Sequence, residues 1–256
     1  MDFVKRLNLT GQWSLQRTLH WDWPQRWIGV ALLLSVQLAF ANPTPDPKAN
    51  PADPDKVLRI AFPSTETGFD PVRVNDLYSN TITAAIFQPL LTYDWMAMPT
   101  RIVPDAAEAM PDISADGKTY TFKVKKGLFF TPDAAFKGHR RELTAQDFVF
   151  TLLRHADPKN RSPQVSDFDD KIFGFADSRK QAVASGKFDY DQRHPGIYAT
   201  DRYTLVIQLN QPDRNFLTLL TNPFAAGMAR EVVEKYGAEI INHAVGTGPF
   251  LQIGRA

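Results

Sequence analysis

The sequence predicts a mixed α/β fold, and three observations carry that expectation. The apolar run "VLRIAF" at 57–62 reads as a buried strand, and the helical pattern "SNTITAAIFQPLL" at 79–91 follows it, which together suggest an α/β unit. Further on, "SADGKTYTFKVKKGLFF" and "DRYTLVIQLNQP" alternate apolar and polar residues, the mark of half-buried strands of an antiparallel sheet. Between them lies a helix with its own start signal, "ELTAQDFVFTLLRHADP".

Each element has a local reason. In the first helix Ile82, Ile86 and Leu90 recur at helical spacing, and Pro89 must end or kink it because its ring carries no N–H. Asp116 and Gly117 supply a turn, after which Tyr120, Phe122 and Val124 share one face and Thr121 and Lys123 the other. Thr144 is expected to cap the next helix with Asp147 three residues on, Phe148, Leu152 and His155 forming one face and Pro158 setting its limit. Residues 159–196 are polar and interrupted by Pro and Gly, with a short helix expected at 178–185. The second alternating strand turns Leu205, Ile207 and Leu209 to the core. "DRNFLTLLTNP" is expected to be a capped helix with Phe216, Leu217 and Leu220 inward, and "AREVVEKYG" another, ended by a left-handed Gly237. In the final "AVGTGPFLQIGRA", a turn of Gly246, Thr247, Gly248 and Pro249 leads into a strand through Phe250, Leu251 and Ile253.

Composition narrows the function. With 256 residues, 43% hydrophobic and 22% charged, the chain can bury a core as one large domain or two modest ones. Lys and Arg number 29 against 28 for Asp and Glu, so no broad basic field attracts nucleic acid. The absence of cysteine excludes disulfides, thiolate metal sites and Cys nucleophiles. The five histidines, His20, His139, His155, His194 and His243, show no metal-ligand spacing, so neither a metal nor a cofactor is expected. "SDFDDK" at 166–171 lacks the Gly and bidentate Glu of a calcium loop and reads as a solvated turn. Gly246-Thr247-Gly248 lacks both the third Gly of a dinucleotide loop and the Lys of a phosphate loop, and no G-x-S-x-G elbow is present. A binder is therefore expected rather than an enzyme.

The N-terminus indicates where the protein works. Lys5, Arg6, Arg17 and Arg26 precede the apolar "WIGVALLLSVQLAFA" at 27–41, which ends in the small-x-small pattern of a secretory signal. At about 1.5 Å per residue this helix would span roughly 22 Å, short of the roughly 30 Å of a bilayer core, so residues 1–41 are read as a cleavable signal peptide and the location as periplasmic. The Pro-rich stretch 42–56 reads as a spacer.

Taken in order, "TGFDPVRVNDLYSNTITAAIFQPLLTYD", "DGKTYTFKVKKGLFF", "LTAQDFVFTLLRHADP", "ATDRYTLVIQLNQPDRNFLTLL" and "VGTGPF" resemble the N-terminal half of the extracellular solute-binding proteins of family 5, the peptide-binding components of ABC transporters. Phe69-Asp70-Pro71 stands where that family has Leu-Asp-Pro. One departure is local: "FFTPDAAFKGHRRELTAQD" replaces a short Trp-x-Asp-Gly-x-Pro turn, and this enlarged loop, with Phe136, Lys137, Arg140 and Arg141, is expected to be a surface excursion.

The resemblance implies a fold of the type II periplasmic binding proteins, two α/β lobes about a cleft. It would place 57–92 and 216–256 in the first lobe and 93–215 in an inserted α+β subdomain, with the second lobe beyond this chain. It further implies a monomer that binds a peptide or similar small solute through its main chain and hands it to the permease subunits of an ABC transporter in the inner membrane. Ungapped matching puts the ligand-contacting segment on Val74, Asn75, Asp76 and Leu77, with Asn75 a hydrogen-bonding group and Leu77 a source of main-chain contacts. The competing reading makes Asn75 and Asp76 a helix cap. Gly246 to Pro249 would border the hinge, their glycines serving turn geometry. The family also carries nickel complexes, haem, opines and oligosaccharides, and an exported chaperone or sensory module of the same fold is the alternative function.

Overall fold

The two alternating segments form the centre of a four-stranded antiparallel sheet in the computed structural model, which describes residues 59–252. Strands β1 (Leu91–Tyr93) and β2 (Ile102–Pro104) make a separate two-stranded ribbon. In the larger sheet β3 (Asp112–Ile113), β4 (Thr119–Lys123), β5 (Ile197–Asp201) and β6 (Thr204–Gln208) stand in the order β3-β4-β6-β5. The register sets Tyr120 opposite Ile207 and Phe122 opposite Leu205, so the faces read from the sequence are the faces that meet the core. Gly117, at φ 70°, makes the β3–β4 turn, its N–H bonded to the carbonyl of Ser114.

Helix α1 (Leu77–Ile86) starts two residues earlier than the periodicity suggests and stops three residues before Pro89. Its buried positions are Ser79, Thr83 and Ile86; Ile82 is only half-buried, and Leu90 lies outside the helix. Helix α2 (Ala145–Ala156) is the central element: every residue except Gln146 is buried, and it packs on β5 and β6. Burying each of Phe148 and Leu152 contributes roughly 1.5–3 kcal/mol. Asp147 accepts hydrogen bonds from the Thr144 N–H at 2.7 Å and its hydroxyl at 2.9 Å, which fixes the helix start as expected. The helix ends before Pro158, also as expected.

The structure departs from several of these expectations. "SDFDDK" is not a solvated turn but part of α3 (Val165–Asp169), because Phe168 is fully buried and anchors it. The helix expected at 178–185 does form, as α4 (Phe175–Ser185), and begins three residues earlier, where the Phe175 ring is buried. Residues 59–62 are exposed and form no strand. Phe250 and Leu251 likewise are exposed and not in a strand. Val57, Leu58 and Ile253, the signal peptide at 1–41 and the spacer at 42–56 lie outside the described residues.

Toward the C-terminus α5 (Phe216–Leu219) is a single turn with Phe216 and Leu220 buried and Leu217 half-buried. Helix α6 (Arg230–Tyr236) ends at Gly237, whose φ of 52° and ψ of −117° are accessible to glycine but lie outside the left-handed helical well. The enlarged loop is no free excursion. Phe136 and Leu143 are buried, Arg141 bonds both Asp147 and Glu231 of α6, and Asp133 receives Nε2 of His243 at 2.7 Å and the Tyr236 hydroxyl at 3.1 Å. Apolar anchors and ion pairs bolt the insertion to the segment before Gly246.

Candidate functional site

The segment singled out by sequence, 74–77, forms the entry to α1. Gly68, at φ 149°, leads into it where a Cβ would sit 2.2 Å from Ile241 Cγ1, so only glycine fits. Asp70 then turns the chain: its carbonyl accepts from the N–H groups of Arg73 and Val74, and its carboxylate from the N–H of Val72. That carboxylate is fully buried and held by both terminal nitrogens of Arg154, at 2.8 Å each. The sequence quotes both residues but gives no signal for their pairing across 84 positions.

The four residues then divide. Val74 is buried, and its carbonyl accepts from Gln164 Nε2 at 2.8 Å, so its side chain and main chain are both used inside the protein. Asp76 is the N-cap of α1, accepting the N–H of Ser79 at 2.8 Å and the hydroxyl of Thr67. Burial works to raise the Asp76 pKa, but the bonds from Ser79 and Thr67 outweigh it and hold the carboxyl at about 2. Asn75 is exposed, and Leu77 is 71% exposed. The cap reading therefore describes Asp76, while Asn75 and Leu77 present free side chains beside it.

Gly246 to Pro249 sits at the other end of the same helix. The N–H of Gly248 bonds the Ile86 carbonyl at 2.7 Å, that of Phe250 bonds the Ala85 carbonyl at 3.3 Å, and the Gly246 carbonyl accepts from Thr131. These bonds satisfy carbonyls that a helix end leaves unpaired. The reason for glycine here is not turn geometry, since neither glycine has a positive φ. A Cβ on Gly246 would lie 2.1 Å from the Ile86 carbonyl oxygen and one on Gly248 at 2.7 Å, so close backbone approach is what requires them. Thus α1 connects both predicted segments, one at each end, about 15 Å apart at 1.5 Å per residue.

Packing places His155 in the interior. His155 is buried, with Nε2 on the Phe224 carbonyl at 2.9 Å and Nδ1 on the Ser162 hydroxyl at 2.6 Å. Burial drives its pKa down to about 4, so it is neutral near pH 7. Among the described residues no three metal-type side chains come together.

The family model described as bacterial extracellular solute-binding proteins, family 5 Middle, matches residues 101–252. The chain belongs to that family. Among curated family 5 relatives, the glutathione-binding protein GsiB of Pectobacterium atrosepticum is 29% identical over 213 residues, covering 83% of this chain and 35% of that protein. The probable deoxycholate-binding periplasmic protein YgiS of Escherichia coli K12 is 31% identical over 209 residues, 80% of this chain and 36% of the relative. The solved structure of pheromone receptor PrgZ, described with its mode of peptide binding, aligns at a TM-score of 0.60 and 26% identity, over 74% of this chain and 34% of that one. The periplasmic murein tripeptide binding protein MppA aligns at 0.58 and 27% identity, over 75% and 34%. The chain therefore spans about a third of the length of the curated relatives it matches, and the fold over that span is that of the type II periplasmic binding proteins. Members of the family are binding proteins. Among the described residues no helix is long and apolar enough to cross a membrane.

Proposed function

We propose that this chain supplies the first-lobe and inserted-subdomain part of a periplasmic solute-binding protein that captures a peptide or similar small solute and delivers it to an ABC transporter permease. The observation that carries the reading is the family match over 101–252, joined to a helix whose two ends carry exposed Asn75, Leu77, Phe250 and Leu251. In this reading 57–92 and 216–256 form the first lobe and 93–215 the inserted subdomain, residues 1–41 direct export, and the protein acts as a monomer without catalysis.

The ligand lies along the entry to α1. Asn75 offers an amide donor and acceptor to the ligand backbone, and Leu77 an apolar contact. Asp76 stays in its cap, and Val74 acts only by fixing the segment from behind through Gln164. The contacts of Gly246 and Gly248 with Ile86 form the fixed edge of the link out of this lobe.

Hydrogen exchange tests the placement. On addition of a di- and tripeptide mixture to the protein at its native length, amides at 75–77 gain protection while those of β4 and β6 stay unchanged. Peptide binding that protects only segments remote from α1 would contradict the assigned site without touching the family assignment.

A further inference from the structure

Behind the entry to α1 runs a line of three buried polar side chains, His155, Ser162 and Gln164. Such groups are costly away from water unless their hydrogen bonds are made, and here the bonds join end to end.

The direction of each bond follows from its end points. His155 Nε2 lies 2.9 Å from the Phe224 carbonyl, which can only accept, so the neutral ring carries its proton there and leaves Nδ1 an acceptor. The Ser162 hydroxyl, 2.6 Å away, therefore donates to Nδ1. That shorter contact takes its single proton in preference to Gln164 Oε1 at 3.4 Å, and Ser162 Oγ accepts the Gln164 N–H at 3.2 Å. Gln164, at the start of α3, then donates from Nε2 to the Val74 carbonyl at 2.8 Å. The rings of Phe168 and Phe224, with centroids 4.9 and 6.0 Å from that of His155, pack against the imidazole at the far end.

The last bond acts on the next residue. Val74 and Asn75 are joined by a planar trans peptide bond, in which the carbonyl and the following N–H point in opposite directions. Drawing the Val74 carbonyl inward to Gln164 turns the Asn75 N–H outward. Asn75 is exposed, and among the described residues nothing accepts that N–H. Its orientation is set by the internal bonds and holds whatever further chain or solute lies outside.

We propose that Gln164, held by Ser162 and His155, is a positioning residue for solute binding, locking the Val74–Asn75 peptide plane so that the Asn75 N–H meets a carbonyl or carboxylate oxygen of the solute. The inference rests on the reading of 75–77 as the ligand edge, and adds a main-chain donor to the Asn75 side-chain amide. Such a donor recognises an acyl oxygen and ignores the side chain beside it.

Protein at its native length, labelled for amide NMR, carries the test. In the wild type a mixture of di- and tripeptides should shift the Asn75 amide resonance. Gln164→Leu removes the donor at nearly equal volume; it should move that resonance even without solute and weaken peptide binding about tenfold, the loss of one hydrogen bond. Gln164→Glu donates only while its carboxyl is protonated, so its affinity relative to the wild type should recover as pH falls from about 8 to about 5. His155, at about 4, stays predominantly neutral across that window. Ala182→Gly, on α4 and outside this line, lowers stability but keeps the affinity, which separates positioning from general weakening. The inference is overturned if Gln164→Leu binds as tightly as the wild type, if the Glu variant never exceeds the Leu variant, or if Ala182→Gly loses as much affinity. An Asn75 resonance unmoved by Gln164→Leu in the free protein contradicts the lock alone. A wild-type peptide complex that leaves this resonance in place contradicts the ligand edge itself, and the inference with it.

Discussion

Arg154 on α2 and Asp70 ahead of α1 meet in a two-pronged ion pair, Nη1 to Oδ1 and Nη2 to Oδ2, both at 2.8 Å, with side chains 2% and 0% exposed. The pair ties the segment that leads to Asn75 and Leu77 to the central helix, so the proposed ligand edge takes its position from the core. Arg154→Met leaves a buried carboxylate without its charged partner and is expected to cost about 3–5 kcal/mol in urea unfolding. The double variant Asp70→Leu, Arg154→Met should recover most of that loss. An unfolding midpoint unchanged in Arg154→Met would show the pair to be incidental.

A second prediction concerns acid. The folded His155 pKa of about 4 lies below the unfolded value near 6.5, so the unfolded chain binds more protons between those limits. Its contribution is complete above about pH 6.5, falls as pH drops toward 4, and changes no further below that. The size is about 3 kcal/mol, at about 1.4 kcal/mol for each pH unit. His155→Asn should lower stability at neutral pH yet flatten the decline across this window; an equally steep decline in the variant would place the effect in another group.

Substitution of Gly246 tests the close approach at the end of α1. A methyl at Gly246 meets the Ile86 carbonyl oxygen, whereas one at Gly138 meets nothing within 4 Å. Gly246→Ala is expected to destabilise by about 1–3 kcal/mol through overpacking. Gly138→Ala, in a left-handed conformation at φ 81°, bears only backbone strain, costing about 1 kcal/mol. Equal costs would mean that the link is free to move away from Ile86.

At Asp76 the cap can be separated from the ligand. Asp76→Ala should cost about 1 kcal/mol and Asp76→Asn much less, since an amide oxygen also caps. In the native-length protein Asp76→Asn leaves peptide affinity unchanged and Asn75→Ala weakens it. The reverse order in a calorimetric titration would exchange their roles.

Much of the fold is legible because its signals are local. Tyr120, Phe122, Leu205 and Ile207 alternate, and alternation fixes which face is buried; Thr144 and Asp147 cap a helix within four residues. Strand β5 escaped because "IYATD" is an edge strand with only Ile197 fully buried, so it carries no period. The enlarged loop does lie at the surface through 137–140, but its anchoring was not legible for a related reason: Asp133 and Arg141 find their partners about 100 positions on, at His243 and Glu231, and spacing in sequence cannot show that. For the candidate site, the resemblance offered Val74, Asn75, Asp76 and Leu77 as ligand contacts, with a cap at Asn75 and Asp76 as the competing reading, and the structure makes Asp76 the cap. The sequence could not show that Val74 is enclosed by Gln164, nor that the glycines at 246 and 248 answer to the backbone of α1.

The most direct test of the central claim is a calorimetric titration of the protein, purified at its native length, with a set of di- and tripeptides. Saturable binding of at least one peptide, without hydrolysis and weakened about tenfold by Asn75→Ala through loss of a hydrogen bond to the ligand, is the predicted result. Absence of binding across the set, or turnover of the peptides, would contradict the account.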